Sequence, residues 1–302
     1  MKHCLVLMAT YNGEAYLNEQ IDSILNQEDV IVDVLVADDC SQDRTAEILK
    51  SYSDTNKNFS YSVNLQNKGF AKNFIDLIYD NIELLTKFDY IALSDQDDVW
   101  LPNKLIEAVI KLEAKPDKNF YCSNLTLVDK NLRLLKQKQP SRFTETQIFI
   151  ENICTGCTIV FNGEFVKHIK KYRPNIYLHD YWLFLISVIF NSYIYDPQAF
   201  ILYRQHDNNQ IGMSKKNKPL FRRIKDFYRE IFVRNKRKHS DMLRQLLQVY
   251  KDEMNEDLCD YMKVLAYPTL RNRLKIIFSK KYKKQSFKEN FIFKARVLLN
   301  KN

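Results

Sequence analysis

The first hundred residues alternate short apolar runs with helical patterns, and this limits the fold more than any other feature of the chain. Cys4–Met8, Val30–Ala37 and Tyr90–Leu93 are almost wholly apolar rather than alternating. Strands apolar on both faces belong in a sheet covered on both sides. Helical stretches at Tyr16–Asn26, Asp43–Tyr52 and Phe70–Asn81 supply the cover, the first with Leu17, Ile21, Ile24 and Leu25 on one face. With a short strand at Phe59–Val63, the expected architecture is α/β: a mostly parallel sheet with helices on both faces. Sheets of this kind bind ligands beyond the carboxyl ends of their strands. Three such ends carry polar clusters here: Thr10-Tyr11-Asn12-Gly13-Glu14, Asp38-Asp39 and Ser94-Asp95-Gln96-Asp97-Asp98.

The last cluster places three carboxylates within four residues. They repel one another, and partial burial adds a desolvation cost. A solvated acidic turn is the bland reading. The chemical reading is a seat for hard Mg²⁺ or Mn²⁺, with a substrate diphosphate as the remaining ligands. At Asp38-Asp39, helix capping by Ser41 or Asp43 explains one side chain but not the pair. Strand-end carboxylates also accept the imide N–H of uracil or thymine, or ribose hydroxyls. The Thr10–Glu14 segment reads either as an Asn-Gly turn or as backbone N–H groups and a hydroxyl beside a nucleotide. Lys68 and Lys72 flank Gly69, as solvated lysines or as partners of phosphate.

Residues 101–212 are more mixed. Helices are expected at Pro102–Leu112, from Gly163 to before Pro174, and at Asp180–Phe190; strands at Phe120–Leu127, Cys157–Phe161 and Ala199–Arg204; a polar excursion at 129–146. His179-Asp180-Tyr181-Trp182 opens an apolar helix. Asp180 there is a plain helix cap or a general base with a raised pKa. Trp182 stacks on a sugar ring or fills the core. His206, after the last strand, is an ordinary surface histidine or completes an aspartate metal site.

Charge is unevenly spread. Residues 213–302 hold 25 Lys and Arg against 9 Asp and Glu, while residues 1–212 hold 21 against 28. The basic end, with clusters such as Arg234–Lys238 and Lys280–Lys284, reads as helices with solvated faces or as a surface for anionic lipid. No nucleic-acid-binding module accompanies the charge, so no nucleic-acid partner is expected. The longest apolar stretch, Tyr181–Phe190, is too short to span a bilayer, and Cys4–Met8 too short for a signal sequence. The expected location is cytoplasmic, or peripheral on the inner face of the cell membrane. Among the six cysteines only Cys154 and Cys157 have CxxC spacing, read as buried reduced thiols. A nucleotidyl- or phosphotransferase would want a glycine-rich phosphate loop, and the chain has none.

The motifs ALSDQDDVW, VADDCSQDRT, MATYNGEAYLNEQIDSILNQ, TGCTIVFN, HDYW and YRQHDNNQ, in their order, resemble the family-2 glycosyltransferases with the GT-A fold. The likeness covers about residues 3–212 and is strongest to the bacterial rhamnosyl- and galactosyltransferase-like branch of surface polysaccharide synthesis. It implies inverting transfer from a UDP- or dTDP-sugar to a saccharide or lipid-linked acceptor, with Mg²⁺ or Mn²⁺. Thr10, Tyr11, Asn12 and Glu14 match the nucleotide-contacting segment, and Asp38 and Asp39 the pair on base and ribose. Asp95, Gln96 and Asp97 match the Asp-x-Asp segment, with Asp97 the stronger metal ligand and His206 a supplementary one. Asp180 matches the catalytic base, with His179 and Trp182 on the acceptor side. Relatives carry Ala-Arg-Asn where this chain has Ala71-Lys72-Asn73, so Lys72 stands in for an arginine near the nucleotide. The implied division is 1–212 for transfer (1–100 donor half, 101–212 acceptor half) and 213–302 for a basic, mostly helical extension. A non-catalytic nucleotide-binding protein on the same fold is the alternative.

Overall fold

The computed structural model describes residues 1–137, 143–206 and 238–301. The chain divides into two compact units, Met1–Ser141 with Cys154–Gln210, and Arg142–Ile153 with Ile211–Asn302. The expected boundary at residue 212 lies outside the described residues, as do the basic clusters between residues 215 and 237. Residues 142–153 go with the second unit, a pairing of distant segments that a linear reading does not anticipate.

In the first unit, β1 (Lys2–Thr10), β2 (Val30–Asp38), β3 (Phe59–Val63) and β4 (Tyr90–Ser94) pair in parallel in the order β3-β2-β1-β4. Helices α1 (Leu17–Leu25), α2 (Thr45–Thr55) and α3 (Phe70–Tyr79) link them, with a short α4 (Ile82–Leu85) before β4. Val6, Met8, Val34 and Val36 are fully buried and share one cluster with Ile21 and Leu49 from the helices. The register fixes what matters for function. Thr10 lies beside Asp38, Asp38 beside Val63, and Met8 beside Ser94. Three polar strand ends are thereby lined along one sheet edge.

The sheet continues past β4 as β8-β6-β9-β5. The elements are β5 (Val99–Trp100), α5 (Lys104–Glu113), β6 (Phe120–Val128), β7 (Leu134–Gln137), β8 (Val160–Asn162), α7 (Gly163–Ile169), α8 (His179–Ile189) and β9 (Tyr193–Arg204). Here β8 runs antiparallel to β4 and β6, and β5 to β9, while β6 and β9 are parallel. A parallel half is therefore joined to a mixed half. The two-residue β5 and the β7 side strand have too little sequence to show a period, and neither was expected. The strand expected at Cys157–Phe161 begins instead as a tight turn, Gly156–Thr158. The last strand starts at Tyr193, earlier than Ala199, because the pairing steps from Asp196 to Ala199 and lets Pro197 sit in a bulge.

In the second unit α6 (Glu145–Ile148) accompanies α9 (Lys238–Tyr250), α10 (Glu256–Ala266), α11 (Leu270–Phe278) and α12 (Phe287–Leu298). The Tyr261 hydroxyl donates to the Thr146 carbonyl at 2.8 Å, and the Tyr261 and Tyr282 rings stack at 4.6 Å. All six cysteines are free thiols, and all but Cys40 are buried. Among the described residues no helix is long and apolar enough to cross a membrane.

Candidate active site

The loops after β1 and β2 are knitted together. Gln96 clamps the first, its Oε1 accepting from the Tyr11 N–H at 2.8 Å and its Nε2 donating to the Tyr11 carbonyl at 3.0 Å. Asn12 takes a left-handed φ of 48°, which asparagine tolerates better than most side chains. It accepts from the Gln42 N–H at 2.8 Å, while its own N–H donates to Ser41 Oγ at 2.8 Å. The Gly13 N–H donates to Thr45 Oγ1 at 2.8 Å, and a side chain at Gly13 would overlap the Gln96 amide. Glu14 accepts from the Arg44 N–H at 3.0 Å.

Asp38 and Asp39 are buried and hydrogen-bonded within the protein. Asp38 accepts from the Thr10 hydroxyl at 2.8 Å, the Ser41 hydroxyl at 2.5 Å and the Ser41 N–H at 2.9 Å. Asp39 accepts from Asn64 Nδ2 at 3.0 Å and from the Lys68 and Gly69 N–H groups, both at 2.8 Å. A carboxylate with three donors is a strut that holds loops in place. Ser41 therefore serves Asp38, while Asp43 Oδ1 accepts from the Thr45 N–H at 3.0 Å at the start of α2.

The end of β4 is built differently. No described group donates a hydrogen bond to the Asp95 carboxylate. Burial, then the charge of Asp97, then that of Asp180, push its pKa up to about 7. Asp180 lies far along the chain, on α8, and its Cβ lies 3.6 Å from where a Cβ at Gly156 would stand, next to Cys157. Asp98 is fully buried, with Oδ1 accepting from the Arg204 N–H at 3.1 Å and Oδ2 lacking a hydrogen-bond partner. Burial and the charges of Asp97 and Asp95 raise its pKa well above the usual range. Asp95, Asp98 and Cys157 offer ligand atoms within 4.8 Å of one another. His206 Nε2 lies 2.8 Å from Asp97 Oδ2, a direct contact between the two side chains.

Sequence reasoning passed over Arg204. This buried arginine donates from Nε to the Asp97 carbonyl at 2.9 Å and from Nη1 to the Lys130 carbonyl at 2.7 Å. It also pairs with Glu19 and stands over the Tyr16 ring at 4.5 Å. It fixes the backbone of the acidic turn against α1 and sets His206 two residues on. Its signal was a cation at the end of an apolar strand, where only a paired charge survives burial. Lys104 was likewise missed: buried over the Trp100 ring at 3.3 Å, its pKa is lowered to about 7 by burial.

Asp180 is the second residue of α8; the capping position is Leu178, so Asp180 is not the helix cap. Its Oδ1 accepts from the Tyr181 N–H at 2.7 Å. His179 is buried, stacked on Phe74 at 4.0 Å, with its pKa lowered to about 3 by burial, so it is neutral. Its Nε2 approaches Gly156 so closely that a Cβ there would lie 2.9 Å away. Trp182 is fully buried, 6.2 Å from the Tyr172 ring, and serves as core packing rather than as a surface for a sugar. Lys68 and Lys72 both reach Asp76, at 2.9 and 3.0 Å, and Arg173 joins them. Burial acts to raise the Asp76 carboxyl, but hydrogen bonds from Lys68, Arg173 and Lys72 hold it down at about 2.

A parallel half, a mixed second half and acidic residues gathered at the strand ends fit a GT-A glycosyltransferase fold, and comparison with known proteins agrees. Residues 5–173 match the model of glycosyl transferase family 2. The dTDP-rhamnosyl transferase RfbG of Shigella flexneri is 35% identical over 228 residues, covering 72% of this chain and 78% of that protein. The chain therefore belongs to glycosyl transferase family 2 and is a glycosyltransferase. Among solved structures, S. aureus TarS 1-349 in complex with UDP-GlcNAc aligns at a TM-score of 0.60 with 18% identity, over 97% of this chain and 78% of that one. The mannosyltransferase PcManGT of Pyrobaculum calidifontis, in complex with GDP-Man and Mn²⁺, aligns at 0.53 with 14% identity, over 98% and 84%. These likenesses show a shared GT-A fold.

Proposed function

We propose that this glycosyltransferase moves a sugar from a UDP- or dTDP-sugar to a hydroxyl of a saccharide or lipid-linked acceptor in cell-surface polysaccharide synthesis, with inversion and with Mg²⁺ or Mn²⁺. One observation carries the reading: carboxylates crowd at the end of β4, with Asp95 and Asp98 ligand atoms within 4.8 Å of each other and Asp97 2.8 Å from His206, and burial with the charges of Asp97 and Asp180 raises the Asp95 pKa. Such a cluster is costly without a cation. The donor set suits a hard divalent ion, since Asp95 and Asp97 offer oxygens, His206 a nitrogen beside Asp97, and Asp95 lacks hydrogen-bond donors. RfbG, a dTDP-rhamnosyl transferase, and TarS, held with UDP-GlcNAc, support a pyrimidine donor, and PcManGT with Mn²⁺ supports the ion.

In this mechanism Asp95 and Asp97 would hold the ion, with His206 as a further ligand. When bound, the ion offsets the negative charge that grows on the departing diphosphate. Asp38 and Asp39 act mainly as struts that hold the Thr10–Glu14 and Lys68–Gly69 backbones where base and ribose bind. Asp180 accepts the acceptor hydroxyl's proton as the oxygen attacks the anomeric carbon. The Tyr181 N–H fixes the rotation of that carboxylate. Attack opposite the leaving group, without a covalent intermediate, inverts the configuration.

The test is Asp180→Asn. Turnover with a UDP- or dTDP-sugar falls by about 10³-fold while Mn²⁺-dependent nucleotide affinity stays within about 2-fold. Loss of nucleotide affinity, or full turnover, would contradict the base role.

A further inference from the structure

The second unit carries an apolar surface that the transfer chemistry does not use. On α11, Leu270, Leu274 and Phe278 recur every fourth residue and are exposed, with Leu270 at 65% and Phe278 at 81%. On α12, Phe287, Phe291 and Leu298 form a second stripe, with Phe287 89% exposed. Ile276, Phe293 and Val297, on the other sides of the same helices, are buried. So the helices have their cores, and the stripes are extra. Arg273 Nη1 donates to the Leu298 carbonyl at 3.0 Å, and Lys294 Nζ to the Ile277 carbonyl at 2.7 Å. These bonds tie α11 and α12 into an antiparallel hairpin.

We propose that this hairpin docks the protein on an anionic lipid bilayer, with the two apolar stripes in the interface and the basic side chains against the headgroups. Charge selects this occupant over another protein's apolar face, because residues 270–301 hold eleven Lys and Arg against a single Glu. Neutral apolar contact does not call for that surplus; a negative surface does. Helices of nine and twelve residues are too short to span, so they lie along the interface. The proposal rests on the second unit alone and stands whichever sugar is transferred.

The test is co-sedimentation of the full chain with vesicles of phosphatidylcholine alone or with added phosphatidylglycerol. The wild type binds the anionic vesicles and releases in high salt. L270S/F278S/F287S weakens binding by about 1000-fold, roughly tenfold for each large apolar group removed. K280A/K283A/K288A weakens it by about 100-fold on anionic vesicles, near fivefold per charge. F287S alone, at the most exposed of these positions, gives about tenfold and guards against misfolding of the triple variant. No binding by the wild type to anionic vesicles, or equal binding by F287S, would overturn the proposal. So would lipid-free self-association that F287S abolishes, since the hairpin would then be a contact between copies of this chain.

Discussion

The ends of β2 and β4 both present aspartates at the same sheet edge, and they are opposites in construction. Asp38 and Asp39 each accept three hydrogen bonds from protein groups. Asp95 accepts none from the described residues, and its nearest charges are other carboxylates. The first pair is satisfied by folding. The second is left in electrostatic conflict that folding does not resolve, which a ligand can relieve. Residue type alone did not separate strut from site; the count of donors did.

The contrast can be broken by substitution. Asp97→Ala has the largest expected effect. Turnover drops by about 10³-fold or more, because several kcal/mol of charge stabilisation at the diphosphate goes with it. The unfolding midpoint in EDTA stays close to wild type. Parallel assays of turnover and urea denaturation check both halves of that statement.

Asp38→Ala reverses the pattern. It strands the Ser41 N–H and two hydroxyls in a buried setting, and stability falls by about 2–4 kcal/mol. Unchanged stability would mean that Asp38 is not a strut. Gly13→Ala, measured in the same way, costs about 1–2 kcal/mol, because the new methyl displaces the Gln96 amide from its clamp on Tyr11.

The smallest effect is in pH dependence. The Asp95 carboxyl titrates near 7 in the folded chain and near ~4 in the unfolded one. A group whose folded pKa is raised contributes its stability in full below the unfolded value and loses it as pH rises through the folded value. In EDTA the wild type therefore weakens between about pH 4 and 7, by about 1 kcal/mol or more, and Asp95→Asn flattens that slope. Equal slopes in the two proteins would show that Asp95 is not the source.

Much of the parallel half was legible in the sequence because its strands are buried on both faces and its polar residues cluster where the strands stop. β3 matches its expected span, and β1, β2 and β4 differ only at their ends. The mixed half was harder. Pro197 disguised the start of β9, and the two residues of β5 pair only through the register of β9. Residue types in the acidic turn were readable, but their partners were not. The meeting of Asp97 with His206 and the support from Arg204 depend on contacts across more than a hundred residues. The pairing of Lys68 and Lys72 with Asp76, one turn along α3 from Lys72, was also unreadable from sequence.

The central claim is that the turn after β4 is incomplete without a divalent ion shared with the donor's diphosphate. Calorimetric titration of UDP and dTDP into the full chain tests it most directly, with Mn²⁺ or with EDTA, for wild type and Asp97→Ala. Tight nucleotide binding only for the wild type with Mn²⁺ is the predicted result. Equal affinity in EDTA, or an Asp97→Ala variant that binds as the wild type does, would contradict it.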